Sequence, residues 1–305
     1  MNQEFINNID NYIMEHRYRL INSILVYENG EIVFERYYNK FNESSRNNIK
    51  SIWKSILSVC VGICLDKGYI KSLDEPIMNY LPEFSYNIHP YHKKILIRHL
   101  LTMTSGIYWN SGAHYHCPMF EQLIRSKNWC EHISDINMAH LPGSKYVYKE
   151  WDVALLSAII GKATGMTSYE FCNKYLYQPL EIASGEWSKS RCGVCYNVMN
   201  GEIGSDLSAR DIAKIGFLFY QKGFWNNERI ISEKYIEMAL TPSPQNAGYG
   251  FLWWLSDKGY GGRGFGGQEL NVYTEQNIIA VIQATATPSS KSYGDICAGI
   301  IGYNL

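Results

Sequence analysis

Ser51-Ile52-Trp53-Lys54 sets a hydroxyl and a primary amine three residues apart, which on a helix is about one turn and one face. A serine hydroxyl is a poor nucleophile until a base takes its proton. A lysine amine can be that base where its surroundings favour the neutral form. The spacing alone carries little weight, since a chain of this composition produces it about 1.5 times by chance. The setting carries more. From Ser55 to Leu65 the sequence is an almost unbroken apolar run, so the pair opens a helix in which an unpartnered ammonium would be costly to bury. The competing reading is a capping serine followed by a lysine that extends to solvent.

The elements that must hold this pair are legible as changes of period. Phe5, Ile6, Ile9, Tyr12 and Ile13 recur at helical spacing and predict an opening helix over Gln3 to His16. Short β-branched and aromatic runs, Ile24 to Tyr27 and Glu31 to Tyr38, flank Asn29-Gly30, a strong hairpin signal. A buried helix starts at Ser51, with Gly68 as its stop signal. Helical patterns then dominate: Ile97 to Leu101, Val153 to Ile160, Tyr169 to Leu176, Leu207 to Tyr220 and Ser232 to Leu240. Strand signals return at Gly250 to Leu255, Glu269 to Tyr273 and Ile278 to Ala284, before a closing helix over Ile296 to Ile301. Strands at both ends with helices between predict an α/β (α+β) architecture. Residues 1–75 and 241–305 would build one sheet domain, residues 76–240 a mainly helical one, and the active site would lie between them.

Composition narrows the chemistry. The 305 residues are 46% hydrophobic and 19% charged, which disfavours disorder, collagen-like repeats and coiled coil. With 28 basic and 29 acidic residues, net charge -1, and no run of like charges, neither nucleic acid nor an anionic lipid surface is an expected partner. The eleven-residue run Ser55 to Leu65 is shorter than the roughly 18 to 20 residues a membrane span needs. The first eighteen residues contain no apolar core of a secretory signal, so a cytoplasmic location and reduced thiols for the eight cysteines are expected.

Ser51-Ile52-Trp53-Lys54-Ser55, continuing through Val61-Gly62-Ile63 and Asp66-Lys67-Gly68 to Leu81-Pro82-Glu83, resembles the first motif and following helix of the serine β-lactamase and penicillin-binding superfamily. The similarity is to its class C-like branch, which includes carboxylesterases and aminohexanoate-oligomer hydrolases. Ile97 to Gly106 resembles that branch's "irhLLtmtSG" segment, and Tyr177-Gln178-Pro179-Leu180 its "PLG" turn. The matches keep their order over about residues 24 to 285. The resemblance implies a β-lactamase-like fold and a serine hydrolase that passes through an acyl-enzyme on Ser51, with no metal or organic cofactor. A non-catalytic relative that only binds a ligand or partner in the same cleft is the alternative.

The family's second motif is Tyr-x-Asn, and Tyr148-Lys149-Glu150 occupies its place. Tyr148 would then share proton transfers with Lys54, Tyr146 being the rival tyrosine. Glu150 replaces the asparagine and, near Lys54, would favour the ammonium. The third motif is a Lys or His, a small residue and Gly, and the matching segment is Gly264-Phe265-Gly266-Gly267-Gln268. Gly266 and Gly267 would let this strand approach the substrate, and the backbone amides of Ser51 and Gln268 would form the oxyanion hole. Phe265 removes the family's cation, so a substrate carboxylate has no anchor unless Arg263 substitutes. That shifts the expected substrate from penicillins to a small ester or amide.

Three other signals are weaker. Cys192-Gly193-Val194-Cys195 is a single CxxC without a second pair and reads as two loop thiols. His114-Tyr115-His116-Cys117, with Cys130 and His132, has metal-ligand types but reads as an ordinary loop. There is no Gly-x-Ser-x-Gly or His-Glu-x-x-His, which argues against α/β-hydrolase and zincin chemistry.

Overall fold

Asn29 and Gly30 both take positive φ, 52° and 88°, as a two-residue hairpin turn requires. They join β1 (Ile21–Glu28) to β2 (Glu31–Tyr37). Near the other end of the chain come β3 (Trp254–Ser256), β4 (Gly259–Gly264), β5 (Gln268–Tyr273) and β6 (Ile278–Ala284). Together they form one antiparallel sheet in the order β2-β1-β6-β5-β4-β3. These relations come from a computed structural model that describes residues 1–86, 89–110, 117–197, 205–287 and 291–302.

β6 is buried along its whole length and β1 from Ile21 to Val26, because helices cover both faces of the sheet. On one face Ile6, Ile9, Ile13, Ile296 and Ile300 pack against Ile24, Val26 and Ile282. On the other, Leu25, Leu270, Val272 and Val281 join a larger core with α1 (Ile52–Asp66) and α2 (Glu150–Thr164). Burial of each such side chain contributes about 1.5 to 3 kcal/mol, and α1 is buried from Ile52 through Cys64. It is the central helix that the apolar run implies.

The differences from expectation are local. The opening helix is two, Gln3–Asn7 and Ile9–Glu15, because the Asn8 amide bonds back to the carbonyls of Phe5 and Ile6. The Tyr169 to Leu176 helix closes in a π turn, Asn173–Tyr177. Most of the expected strand Gly250 to Leu255 is a bend, with only Trp254–Ser256 in the sheet. Leu252, at φ 62°, donates its amide to the Leu101 carbonyl at 3.0 Å and accepts the Ser55 hydroxyl at 2.8 Å. Those tertiary bonds take the place of ladder pairing. The glycine-rich stretch from Gly259 is the strand β4, paired with β5 from Tyr260–Val272 to Gly264–Gln268. The helical middle also carries two-residue ribbons, among them Ser188–Lys189 with Cys195–Tyr196, and Asp206–Leu207 with Asn47–Asn48. No helix among the described residues is long and apolar enough to cross a membrane.

Candidate active site

Ser51 stands at the N-cap position of α1, yet its side chain makes no capping bond. Its Oγ instead accepts a hydrogen bond from Lys54 Nζ at 3.0 Å. Lys54 is only 4% exposed, so it does not reach solvent, and the capping-and-extending alternative does not describe the pair. The first turn of α2 brings Glu150 to the same ammonium, with Oε2 at 2.9 Å and Oε1 at 3.2 Å. The Tyr196 hydroxyl donates to the same Glu150 Oε2. Lys54 Nζ also lies over the Tyr148 ring, 5.2 Å from its centroid, and that ring is nearly parallel to Trp254 at 6.0 Å. The rival Tyr146 packs against Tyr249. Burial pulls the Lys54 pKa down, but the Glu150 carboxylate and then Tyr148 push harder in the other direction, so the net shift is upward and the ammonium is favoured.

Ser51, Lys54, Glu150 and Phe265 line one cavity of about 330 Å³, together with Lys50, Trp109, Phe120, Tyr196 and Asn197 among others. Gly266, Gly267, Gln268 and Arg263 are not in its wall. A Cβ on Gly266 would meet Ala286 at 2.5 Å, and one on Gly267 would meet Tyr293 at 2.2 Å. The close approach is made within β4 instead: a Cβ on Gly264 would meet the Ile49 carbonyl at 2.4 Å, and one on Gly262 the Ser55 Oγ at 3.2 Å. The Gln268 side chain is fully buried and bonds to Asn47 and to the Ala284 backbone. Arg263 is exposed, with its guanidinium 5.5 Å from the Trp254 ring centroid, and is not part of the cavity wall.

Between Tyr148 and Glu150, the side chain of Lys149 turns into the protein. Its Nζ donates to Ser105 Oγ at 3.2 Å and to the Ile107 carbonyl at 3.0 Å. The Ser105 hydroxyl donates in turn to Asp152 Oδ1 at 2.5 Å. Burial raises the Asp152 carboxyl to about 6 against the opposing pull of Lys149 and Ser105. This buried network ties the second motif to the Thr104-Ser105-Gly106 segment and holds the start of α2 in position. Tyr196, 46 residues beyond Glu150 on a two-residue ribbon, had no spacing signal that could have announced it.

A larger cavity of about 750 Å³, walled by Tyr27, Arg210, Phe217 and Trp225 among others, is lined by no serine, threonine or cysteine. Its arginine is held by Glu35 at 2.8 and 2.7 Å. Cys192 and Cys195 are unbridged: Cys192 is exposed in the turn of the Ser188–Lys189 ribbon, whereas Cys195 is buried in that ribbon's second strand and is not a loop thiol. Of the sequence-level metal candidates, His114, Tyr115 and His116 lie outside the described residues. Among the described ones no group of three or more His, Cys, Asp or Glu is arranged to hold a metal ion.

The sheet, its two covered faces and the serine-bearing central helix define a β-lactamase-like fold. The octameric penicillin-binding protein homologue from Pyrococcus abyssi superposes with a TM-score of 0.76 at 19% identity, covering 100% of this chain and 78% of that one. The penicillin binding protein from Bacillus halodurans does so with a TM-score of 0.74 at 20% identity, covering 95% and 98%. In sequence, the 6-aminohexanoate-dimer hydrolase of Paenarthrobacter ureafaciens is 21% identical over 307 aligned positions, covering 92% of this chain and 76% of the relative. The beta-lactamase family model matches residues 13–193, more than half of the chain, and the protein belongs to that family of hydrolases.

Proposed function

We propose that the protein is a serine hydrolase that cleaves a small ester or amide through an acyl-enzyme on Ser51. The observation that carries this reading is the 3.0 Å hydrogen bond between Lys54 Nζ and a Ser51 Oγ that caps nothing, at the wall of a cavity large enough for a small substrate. Neutral Lys54 takes the Ser51 proton as Oγ bonds to the substrate carbonyl carbon. The proton then passes, with Tyr148 sharing the relay, to the leaving alkoxide or amine as its bond to that carbon breaks. Water adds to the acyl-enzyme by the same route in reverse and releases the acid.

The developing oxyanion would be met by the Ser51 amide and by a second amide from the β4–β5 turn. Phe265 is the residue of that turn that lines the cavity, so its amide, rather than that of Gln268, is the second donor we assign. Glu150 holds Lys54 in its charged form and thereby limits the base at neutral pH. A fluorophosphonate followed by intact-mass spectrometry tests the reading: one adduct is expected on the wild type and none on Ser51→Ala. An unmodified wild type would favour the non-catalytic, ligand-binding alternative, and an adduct that survives Ser51→Ala would move the nucleophile elsewhere.

A further inference from the structure

The cavity holds a second lysine whose charge nothing in the proposed mechanism uses. Lys50 immediately precedes the nucleophile, is half-buried and lines the same wall as Ser51. Its backbone is pinned from both sides in a left-handed conformation at φ 50°. Its amide donates to Asn48 Oδ1 at 2.9 Å, and its carbonyl accepts the Asn197 amide group at 2.6 Å. The side chain therefore leaves a fixed point beside Ser51.

Among the described residues no carboxylate comes within 4.0 Å of its ammonium, the reach of an ion pair. Asp206, the acid whose charge acts on it, stays beyond that distance. Lys54 is in the opposite condition, with Glu150 at 2.9 Å. Glu121, the remaining acid on the cavity wall, is exposed. At the third motif Phe265 offers only an apolar face, and Arg263 sits over Trp254 outside the cavity.

We propose that Lys50 is the anion anchor of this site, and that the natural substrate is an ester or amide carrying a carboxylate. The inference rests on the serine-hydrolase reading. A partly desolvated ammonium without an acidic partner is unfavourable in the free protein and becomes favourable when a ligand brings the opposite charge. Burial lowers the Lys50 pKa against the weaker opposing pull of Asp206, in keeping with a cation that has lost water and gained no contacting ion-pair partner.

The test compares matched substrate pairs, with rates counted above those of Ser51→Ala. Mono-p-nitrophenyl glutarate against p-nitrophenyl valerate places the carboxylate on the acyl side. 3-Acetoxybenzoate against phenyl acetate places it on the leaving group. In one pair the wild type should prefer the carboxylate by about tenfold or more in kcat/KM, the factor one charge-assisted hydrogen bond supplies. Lys50→Met should collapse that ratio and Lys50→Arg should retain it. A folding or placement defect slows both members of a pair alike, so the ratio isolates the charge. No wild-type preference in either pair, or a preference that survives Lys50→Met, would overturn the inference and leave the hydrolase reading standing. Failure to turn over any of the four esters would overturn both.

Discussion

Glu150→Gln keeps the shape of the side chain and its contact with Tyr196 while removing the charge beside Lys54. With Oε2 2.9 Å from Nζ, the pair attracts by about 6 kcal/mol at an effective dielectric constant of about 20. Even a quarter of that corresponds to about one pH unit in the lysine's titration. The sign follows from which form acts. The base is the neutral amine, so activity rises with pH through the Lys54 titration, and Glu150 holds that titration high. Removing the carboxylate should move the rising limb of kcat/KM to lower pH by one unit or more. Below the midpoint this is a gain of about tenfold or more at pH 7. The wild type should still be climbing at pH 10, and the variant should run ahead of it at every pH below that. Hydrolysis of p-nitrophenyl butyrate followed from pH 5 to 10 makes the comparison. Glu150→Asn, which restores the residue of the family's second motif, should shift the limb the same way. A midpoint that does not move, or a uniform loss of rate at every pH, would refute the idea that Glu150 controls the protonation of Lys54.

Lys54→Met should fold, because the Glu150 side chain remains 23% exposed and keeps Tyr196, but should lose about 10²- to 10⁴-fold in kcat/KM. A variant that keeps more than about a tenth of the wild-type rate would mean another group is the base. Gly264→Ala sets a methyl against the Ile49 carbonyl and should lower stability by about 1 to 3 kcal/mol in urea titration. Activity should fall by more than Gly266→Ala costs, since only Gly264 abuts the strand leading to Ser51. Asp152 binds its proton more tightly in the folded chain, at about 6, than unfolded at about 3.9. Its contribution is therefore fully present below about pH 4 and lost as pH rises to about 6. Relative to wild type, Asp152→Asn should gain stability across that window, at up to about 1.4 kcal/mol per pH unit. A stability difference that stays flat from pH 4 to 6 would place the titration elsewhere.

What was legible in the sequence is what depends on neighbours along the chain. Ser51 and Lys54 share a face because an α-helix repeats every 3.6 residues, and the run from Ser55 to Leu65 requires that helix to be buried. Asn29-Gly30 determines its hairpin because few residue pairs tolerate two positive φ values in succession. The strands Gln268–Tyr273 and Ile278–Ala284 followed from their own composition. Each of these features closes its hydrogen bonds or buries its apolar face in a way that a short stretch of sequence already dictates.

The family resemblance set Tyr148 and Glu150 near Lys54, but only tertiary structure added Tyr196 and decided how these groups meet the ammonium. Nothing in the spacing of Glu150 and Tyr196 links them to each other or to the ammonium, and the carboxylate joins the two only because α2 packs across α1. Likewise the third-motif match singled out Gly266 and Gly267 among the glycines from Gly261 to Gly267. Pairing with β5 then turns Gly262 and Gly264 toward the nucleophile's helix and its approach, while Gly266 and Gly267 fold back onto Ala286 and Tyr293. Leu252 leaves the sheet because Ser55 and Leu101, far away along the chain, offer its backbone better partners than a neighbouring strand would. Periodicity records which face of an element is apolar. Which polar groups meet across two such faces is settled by packing, through contacts that no local pattern encodes.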